Sequence, residues 1–329
     1  MRLLDCTLRD GANVVGNGFS AELTKDMLRG LISHGIKTIE YGNAHGLGGY
    51  EFSNSIAPLT DKEYLELAAP YMDQAELGMF MGAGRAGEEQ IQMAADMGLS
   101  FLRVGIAAGD GAKAYDVIKT VKKCGLKARY SLMKAYLLTP LQLAEEAARL
   151  EACGLDEITI MDSAGTMLPD QVSEYVSEMR KRIAIPIGFH GHNNLGLATA
   201  NAMAAWKAGA ETLDCGLMGM ARSAGNMATE VAVAVFQRLG ELENVDFYGL
   251  LNFIDQDLAP AMEKENYHDM ITPLDLVLGS SGCHSSNVKK FRQIAEETKV
   301  PLYQLIAMVS AQDKKKPSDE LIRSIAAAM

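Results

Sequence analysis

The stretch that decides the fold is Cys153-Gly154-Leu155-Asp156-Glu157-Ile158-Thr159-Ile160-Met161, where a helical pattern ends at a glycine and an apolar, β-branched run follows. A helix that closes on a glycine in the left-handed conformation and turns directly into a strand is one half of a βα unit. The same junction recurs at His34-Gly35, Met97-Gly98, Cys124-Gly125 and Ala208-Gly209. The sequence therefore predicts repeated βα units.

The spacing of these glycines indicates how many units there are. They fall at 35, 98, 125, 154 and 209, so the gaps of 63, 27, 29 and 55 residues are one or two copies of a repeat. The repeat is about 30 residues, the length of a βαβ step. Filling the missing steps gives eight strands, near Leu3–Cys6, Thr38–Tyr41, Glu76–Met81, Leu102–Ile106, Lys127–Ser131, Glu157–Met161, Ile185–His190 and Glu211–Cys215. This pattern predicts a closed (β/α)8 TIM barrel of the α/β class, with a doubly wound open sheet as the alternative.

After Glu230 the alternation stops. Five helical patterns follow without strands between them, near Val231–Leu239, Leu250–Glu263, Ser285–Thr298, Leu302–Val309 and Leu321–Met329. We therefore expect a TIM-barrel catalytic domain over residues 1–240 and a helical C-terminal region over residues 241–329.

The composition limits the possible partners. The 329-residue chain is 48% hydrophobic and 22% charged, as in ordinary soluble globular proteins. Its formal net charge of −11 argues against nucleic acid as a partner, because phosphate binding needs clustered Lys and Arg. The one basic run, Lys314-Lys315-Lys316, is predicted to be a solvated turn between helices. No apolar stretch is long enough to span a membrane, so we expect no membrane partner.

Cysteine usage favours a reducing compartment. The five cysteines are scattered and odd in number, with no C-x-x-C pair, and lie at Cys6, Cys124, Cys153, Cys215 and Cys283. The first residues also lack the apolar core of a secretion signal. We expect a cytoplasmic protein.

Polar residues at two predicted strand ends suggest a metal site. Strand 1 runs into Arg9-Asp10, and strand 7 ends at His190-Gly191-His192. Two His at i and i+2 on an extended segment project to the same side, and the active site of a barrel lies at the C-terminal ends of its strands. Two imidazoles and a carboxylate leave positions open for a substrate. The ligand types allow Mn²⁺, Mg²⁺, Zn²⁺, Co²⁺ or Fe²⁺, with Mn²⁺ or Mg²⁺ ranked first. The alternative is that the H-x-H is a packed histidine pair and the Arg-Asp a surface ion pair, which is what isolated examples of these motifs more often are. Here both motifs lie at predicted strand ends on the face that carries catalysis, which favours the metal site.

These residues belong to a longer series of motifs, in order along the chain, that resembles the DRE-TIM metallolyase superfamily, the HMGL-like proteins. The series comprises Thr7-Leu8-Arg9-Asp10-Gly11, Ile39-Glu40, Asp162-Ser163-x-Gly165-x-x-x-Pro169, the H-x-H strand and Gly219-x-x-x-x-x-Gly225-Asn226-x-x-Thr229-Glu230. The resemblance implies that Asp10, His190 and His192 bind the metal and that Asn226 supplies an additional ligand. It implies that Arg9 stabilises an enolate oxygen, a role that suits a guanidinium.

Within that superfamily the chain is most similar to the 4-hydroxy-2-oxovalerate aldolase branch. The resemblance lies in the loop Gly42-Asn43-Ala44-His45-Gly46-Leu47-Gly48-Gly49 and in the C-terminal segment from Val277 through Ser286. It implies an enzyme that cleaves or forms a 4-hydroxy-2-oxo acid from a keto acid and an aldehyde. It also implies a homo-oligomer and, in that branch, an acylating aldehyde dehydrogenase as partner.

Two departures affect the proton transfer. Asn13 stands where those aldolases have a catalytic histidine, and His284 stands where they have a tyrosine. Asparagine is not a general base at neutral pH, so His45 and His284 become the candidate catalytic bases. Asn13 and Ser163 are expected to contact the substrate. Two alternatives remain. One is an acyl-CoA condensing synthase, because Asn13 has the amide chemistry of the glutamine found at that place in those enzymes. The other is a metal-binding scaffold without catalysis.

Overall fold

The chain folds into a closed barrel of eight parallel strands. In the computed structural model, which describes residues 1–52, 55–85, 87–267 and 273–329, each strand pairs with its neighbours in sequence and β8 closes on β1. The pairing of β8 with β1 runs from Arg2 opposite Thr212 to Asp5 opposite Cys215. The strands are β1 (Arg2–Asp5), β2 (Thr38–Glu40), β3 (Glu76–Gly82), β4 (Phe101–Ala107), β5 (Lys127–Met133), β6 (Glu157–Asp162), β7 (Ile187–Gly191) and β8 (Thr212–Cys215). All eight predicted strands are confirmed, and the doubly wound alternative is wrong.

Helices surround the barrel and bury their apolar faces against it. Their bounds are α1 (Ala21–Ser33), α2 (Gly49–Phe52), α3 (Asp61–Ala68), α4 (Glu88–Asp96), α5 (Tyr115–Lys123), α6 (Pro140–Glu151), α7 (Pro169–Arg180), α8 (Ala198–Lys207) and α9 (Thr229–Gln237). Capping boxes begin α3 at Thr60 and α6 at Thr139, and each threonine accepts a backbone N–H three residues on. The junction glycines Gly35, Gly98, Gly125, Gly154 and Gly209 all have positive φ, as the repeated helix-to-strand turn requires.

Among its described residues, the C-terminal part contains helices and connecting turns but no β-strand. It contains α10 (Phe247–Phe253), a π-helical turn (Ile254–Leu258), α11 (Ala259–Lys264), α12 (Pro273–Ser281), α13 (Val288–Thr298), α14 (Leu302–Gln312) and α15 (Asp319–Ala328). The sequence did not predict α12, whose apolar residues do not follow a clear helical period. Leu250, Phe253 and Met262 belong to the barrel core, whereas a second core extends from Leu278 to Ala326. Across the described residues, no helix combines the length and apolarity needed to cross a bilayer.

Candidate metal centre and active site

A cavity of about 500 Å³ opens at the C-terminal ends of the strands. This is the face on which barrels of this kind carry their catalytic groups. Seven of the nine residues predicted for the site line the cavity, namely Arg9, Asp10, His45, Ser163, His190, His192 and His284. The other two, Asn13 and Asn226, lie behind Asp10 and contact it.

The turn after β1 brings Asp10 to the two histidines at the end of β7. Asp10, His190 and His192 are all buried, and one ligand atom from each falls within 4.8 Å of the others. The Nε2 atoms of His190 and His192 lie 3.6 and 3.8 Å from Asp10 Oδ2. This is a carboxylate and two imidazoles converging on one point, an arrangement that can hold a divalent metal.

The protonation states of these groups suit a cation. Burial lowers the pKa of His192 to about 3, so its ring is neutral at pH 7. Burial alone would raise the pKa of Asp10, but Arg9, His192 and Arg222 hold it well below its usual range. The Nδ1 atom of His190 lies 3.0 Å from Asp214 Oδ2, so Nδ1–H donates to that carboxylate and Nε2 is the ring nitrogen that faces Asp10.

The two asparagines hold Asp10 from behind. Asn226 Nδ2 donates to Asp10 Oδ2 at 3.1 Å, and its buried Oδ1 has no hydrogen-bond partner among the described residues. A buried carbonyl oxygen without a partner is the atom that a metal ligand would offer. Asn13 Nδ2 donates to the backbone oxygen of Asp10 at 2.8 Å, so this side chain braces the turn.

Arg9 is fixed by ion pairs but keeps one donor free. Its Nε donates to Glu40 Oε1 at 2.5 Å, its Nη1 lies 3.1 Å from Asp10 Oδ1, and its guanidinium stacks over the Phe80 ring. Within the described residues the buried Nη2 has no partner. Burial would lower the pKa of Arg9, yet Glu40 and Asp10 raise it, so the group stays charged.

A chain of buried ion pairs connects these groups through the barrel interior. Arg103 on β4 donates to Glu40 on β2 and to Asp214 on β8, at 2.5 Å in each case, and Asp214 orients His190. Arg103 and Asp214 were not predicted from the sequence as site residues. The signal was present, since Arg103 is a charge in the middle of an otherwise apolar strand.

The two candidate bases differ in their hydrogen bonds. His45 Nδ1 lies 2.5 Å from Ser55 Oγ, and that hydroxyl donates to Asn43 Oδ1 at 3.3 Å. The hydroxyl therefore accepts from His45 Nδ1, and Nε2 keeps its lone pair. In contrast, the backbone N–H of Ser286 donates to His284 Nδ1 at 3.2 Å, so the neutral ring carries its proton on Nε2.

The basic run near the C-terminus lies in the turn between α14 and α15, as predicted. Lys314 and Lys316 are exposed, and Lys315 is half-buried. Lys315 forms an ion pair with Asp110 at 2.9 Å beyond the end of β4, and Lys316 lines the cavity. The predicted solvated turn is therefore confirmed for Lys314 and Lys316, and the same turn also reaches the barrel mouth.

Comparison with known proteins assigns the family. The HMGL-like family model matches residues 1–256. The chain is 33% identical to a 4-hydroxy-2-oxovalerate aldolase of Carboxydothermus hydrogenoformans over 93% of this chain and 90% of that protein. It is 34% identical to one of Moorella thermoacetica over 90% and 87%. The carboxyl transferase domain of Rhizobium etli pyruvate carboxylase has the same fold, with a TM-score of 0.76 at 17% identity, over 100% of this chain and 60% of that one. The chain therefore belongs to the HMGL-like family and is an enzyme of the aldolase and lyase class.

Proposed function

We propose that this enzyme is a divalent-metal-dependent aldolase that cleaves a 4-hydroxy-2-oxo acid into a keto acid and an aldehyde, or runs the addition in reverse. One observation carries the proposal. The Asp10, His190 and His192 ligand atoms converge at the cavity that also holds a buried Arg9 with an unpartnered Nη2. The names of the curated relatives support the same substrate class.

The donor set fits a divalent metal. Asp10, His190, His192 and the Oδ1 of Asn226 would hold it, leaving further positions toward the cavity. Oxygen-rich coordination with substrate favours Mn²⁺ or Mg²⁺, with Zn²⁺ or Co²⁺ as alternatives. A bound ion would polarise the 2-oxo and carboxylate oxygens of the substrate.

The chain's own groups would perform the proton and charge transfers. A base removes the proton of the C4 hydroxyl, the C3–C4 bond breaks, and the aldehyde leaves. The bond's electron pair forms the enolate of the keto acid, whose oxygen accepts a hydrogen bond from Arg9 Nη2. Return of the proton to C3 completes the keto acid, so atoms and charge balance.

His45 is the better-suited base. Its Nδ1–H donates a hydrogen bond to Ser55 Oγ, and its Nε2 lone pair remains available. Burial and the cations Arg85, Arg222 and Arg9 lower its pKa, so the ring is neutral at pH 7. His284 presents Nε2–H instead, which suits it to donate a hydrogen bond to the substrate, and Ser163 would contribute its hydroxyl.

The test is keto acid release from 4-hydroxy-2-oxovalerate. We expect pyruvate formation that a chelator abolishes and that Mn²⁺ or Mg²⁺ restores. Turnover that continues at full rate after every divalent ion has been removed would refute the proposal. A thiol-release assay with acetyl-CoA and keto acids provides the comparison, because an aldolase frees no CoA.

The remaining partners stay predictions. The synthase alternative depended on the Asn13 amide, which binds the Asp10 backbone rather than lining the cavity, so we do not propose it. A homo-oligomer and an aldehyde dehydrogenase partner remain to be tested. We also infer a cytoplasmic location, because all five cysteines are free thiols.

A further inference from the structure

The cavity is far more basic than the protein around it. The chain carries a net charge of −11, yet five cationic side chains and a single carboxylate line the cavity. The carboxylate is Asp10, and the cations are Arg9, Arg85, Lys134, Arg222 and Lys316. A 4-hydroxy-2-oxo acid with an uncharged tail has one negative charge, and Arg9 together with a bound metal would already match it.

Three of the cations lie across the barrel mouth from the metal centre. In a closed barrel of eight strands, β3 is opposite β7 and β5 is opposite β1. Arg85 follows β3, and its side chain folds back along Gly82. A Cβ atom added to Gly82 would lie 3.1 Å from Arg85 Cδ. Lys134 directly follows β5 and has a φ of 55°, a conformation that costs a non-glycine residue energy. Lys316 reaches the same cavity from the turn before α15.

None of these three cations forms an ion pair with a carboxylate of the described residues, since no carboxylate oxygen among those residues lies within 4.0 Å of them. Asp313 acts on Lys134 only from a longer distance. Lys134 Nζ donates to the backbone oxygen of Lys315, at 3.1 Å. Burial, together with the cations Lys315 and Arg222, lowers its pKa. Arg85 and Lys134 are half-buried and Lys316 is exposed, and all three line the same cavity. Cations that line one cavity without a carboxylate partner favour an anion from outside the chain.

We infer that the carbonyl partner in this reaction carries its own anionic group, a carboxylate or a phosphate ester, which Arg85, Lys134 and Lys316 bind. The inference rests on the proposed function, in which the keto acid occupies the metal side of the cavity. The tail beyond C4 then extends toward β3 and β5. A short neutral aldehyde would leave three cations facing an empty part of the cavity.

A binding experiment tests the charge preference without turnover. The probes are 2-oxoadipate and 2-oxohexanoate, which differ by a terminal carboxylate in place of a methyl group and lack the C4 hydroxyl that cleavage requires. Calorimetry on the Mn²⁺-loaded protein should give a Kd at least about tenfold lower for 2-oxoadipate. Lys134→Met and Lys316→Met should each reduce that ratio, whereas Lys314→Met, in the same turn but outside the cavity lining, should not. Equal Kd values for the two probes in the unmodified protein would overturn the inference.

A turnover experiment separates this inference from the proposed function. Pyruvate addition is compared for 4-oxobutanoate against butanal, and for glyceraldehyde 3-phosphate against glyceraldehyde. A higher kcat/KM for the anionic member of either pair supports the inference and identifies carboxylate or phosphate as the group. Equal kcat/KM values within both pairs contradict it while leaving the aldolase intact. A Kd preference without turnover of any aldehyde would instead refute the aldolase and retain the anion site.

Discussion

At the scale of single residues, the proposed mechanism keeps Arg9 and the metal ligands as the enolate-forming groups and assigns the proton transfer to a different residue. By its resemblance to the aldolase branch, Asn13 occupies the place of a histidine, and here its side chain donates to the backbone oxygen of Asp10. In the proposed mechanism, His45 in the loop after β2 takes over the proton transfer. Ser55 Oγ accepts from its ring Nδ1, and Asn43 Oδ1 accepts from its backbone N–H. The proposed base therefore lies at a different strand end of the same cavity.

Replacing His45 tests this assignment directly. His45→Gln should lower kcat by about 10²–10⁴-fold, the usual contribution of a general base, while metal affinity changes little. The measurement is pyruvate release at saturating substrate. His34→Gln is the matched control, since His34 lies at the end of α1 and outside the cavity. A loss of the same size in His284→Gln but not in His45→Gln would move the base to His284.

The pH profile provides a second test of His45. The base must be neutral, and burial with Arg85, Arg222 and Arg9 lowers its pKa from 6.5. The kcat/KM should therefore be flat near pH 7 and fall on acidification with an apparent pKa below 6.5. Arg85→Gln removes one cation, so the pKa of His45 should rise. The acidic limb of kcat/KM, measured with a substrate whose aldehyde tail is uncharged, should then shift to higher pH. An acidic limb that stays in place in this variant would show that another group titrates.

At the scale of elements, the strands were predictable and their non-local contacts were not. The glycine junctions locate the strands because each helix-to-strand turn is a local event with a local signature. The approach of Lys316 to the cavity has no such signature, since it depends on how α14 and α15 pack. Likewise, Arg103 meets Glu40 and Asp214 only because the barrel closes in one register. We propose that the helical region forms its own apolar core only beyond residue 267, later than the predicted division at residue 240, because Met262 still belongs to the barrel core.

The cap of α15 is a testable part of this C-terminal packing. Ser318 Oγ accepts the N–H of Leu321 at 3.2 Å at the start of α15, directly after the turn that carries Lys316. Ser318→Ala should cost about 1 kcal/mol of local stability and speed hydrogen exchange of the α15 amides. Ser324→Ala, in the exposed middle of the same helix, should leave exchange unchanged or slow it, because alanine is the better helix former. Equal exchange in the two variants would mean that tertiary packing alone fixes α15.

At the scale of the whole molecule, one ionic chain joins opposite sides of the barrel. Glu40, Arg103 and Asp214 are almost fully buried on β2, β4 and β8, and the chain continues to Arg9 and His190 at the mouth. Buried ion pairs add little stability relative to apolar packing, but removing one partner leaves the other charge buried and uncompensated. The barrel interior therefore depends on Arg103 for both folding and the orientation of the site.

Arg103→Met should destabilise the protein by about 3–5 kcal/mol at pH 7, because two buried carboxylates lose their cation. Burial raises the pKa of Glu40 and of Asp214, but Arg103 reverses this and lowers both. Glu40 and Asp214 therefore contribute stability above their pKa values in the unfolded chain, 4.5 and 3.8. That stability is lost as the pH falls through their lower pKa values in the folded protein. Without Arg103, burial dominates and both groups protonate readily in the folded state.

The difference in unfolding free energy between the two proteins should therefore shrink from pH 7 to pH 4 in urea unfolding. The control is Arg323→Met, at an exposed ion pair, which should cost less than about 1 kcal/mol at either pH. A difference that is constant across this range would show that lost packing, rather than charge, causes the destabilisation.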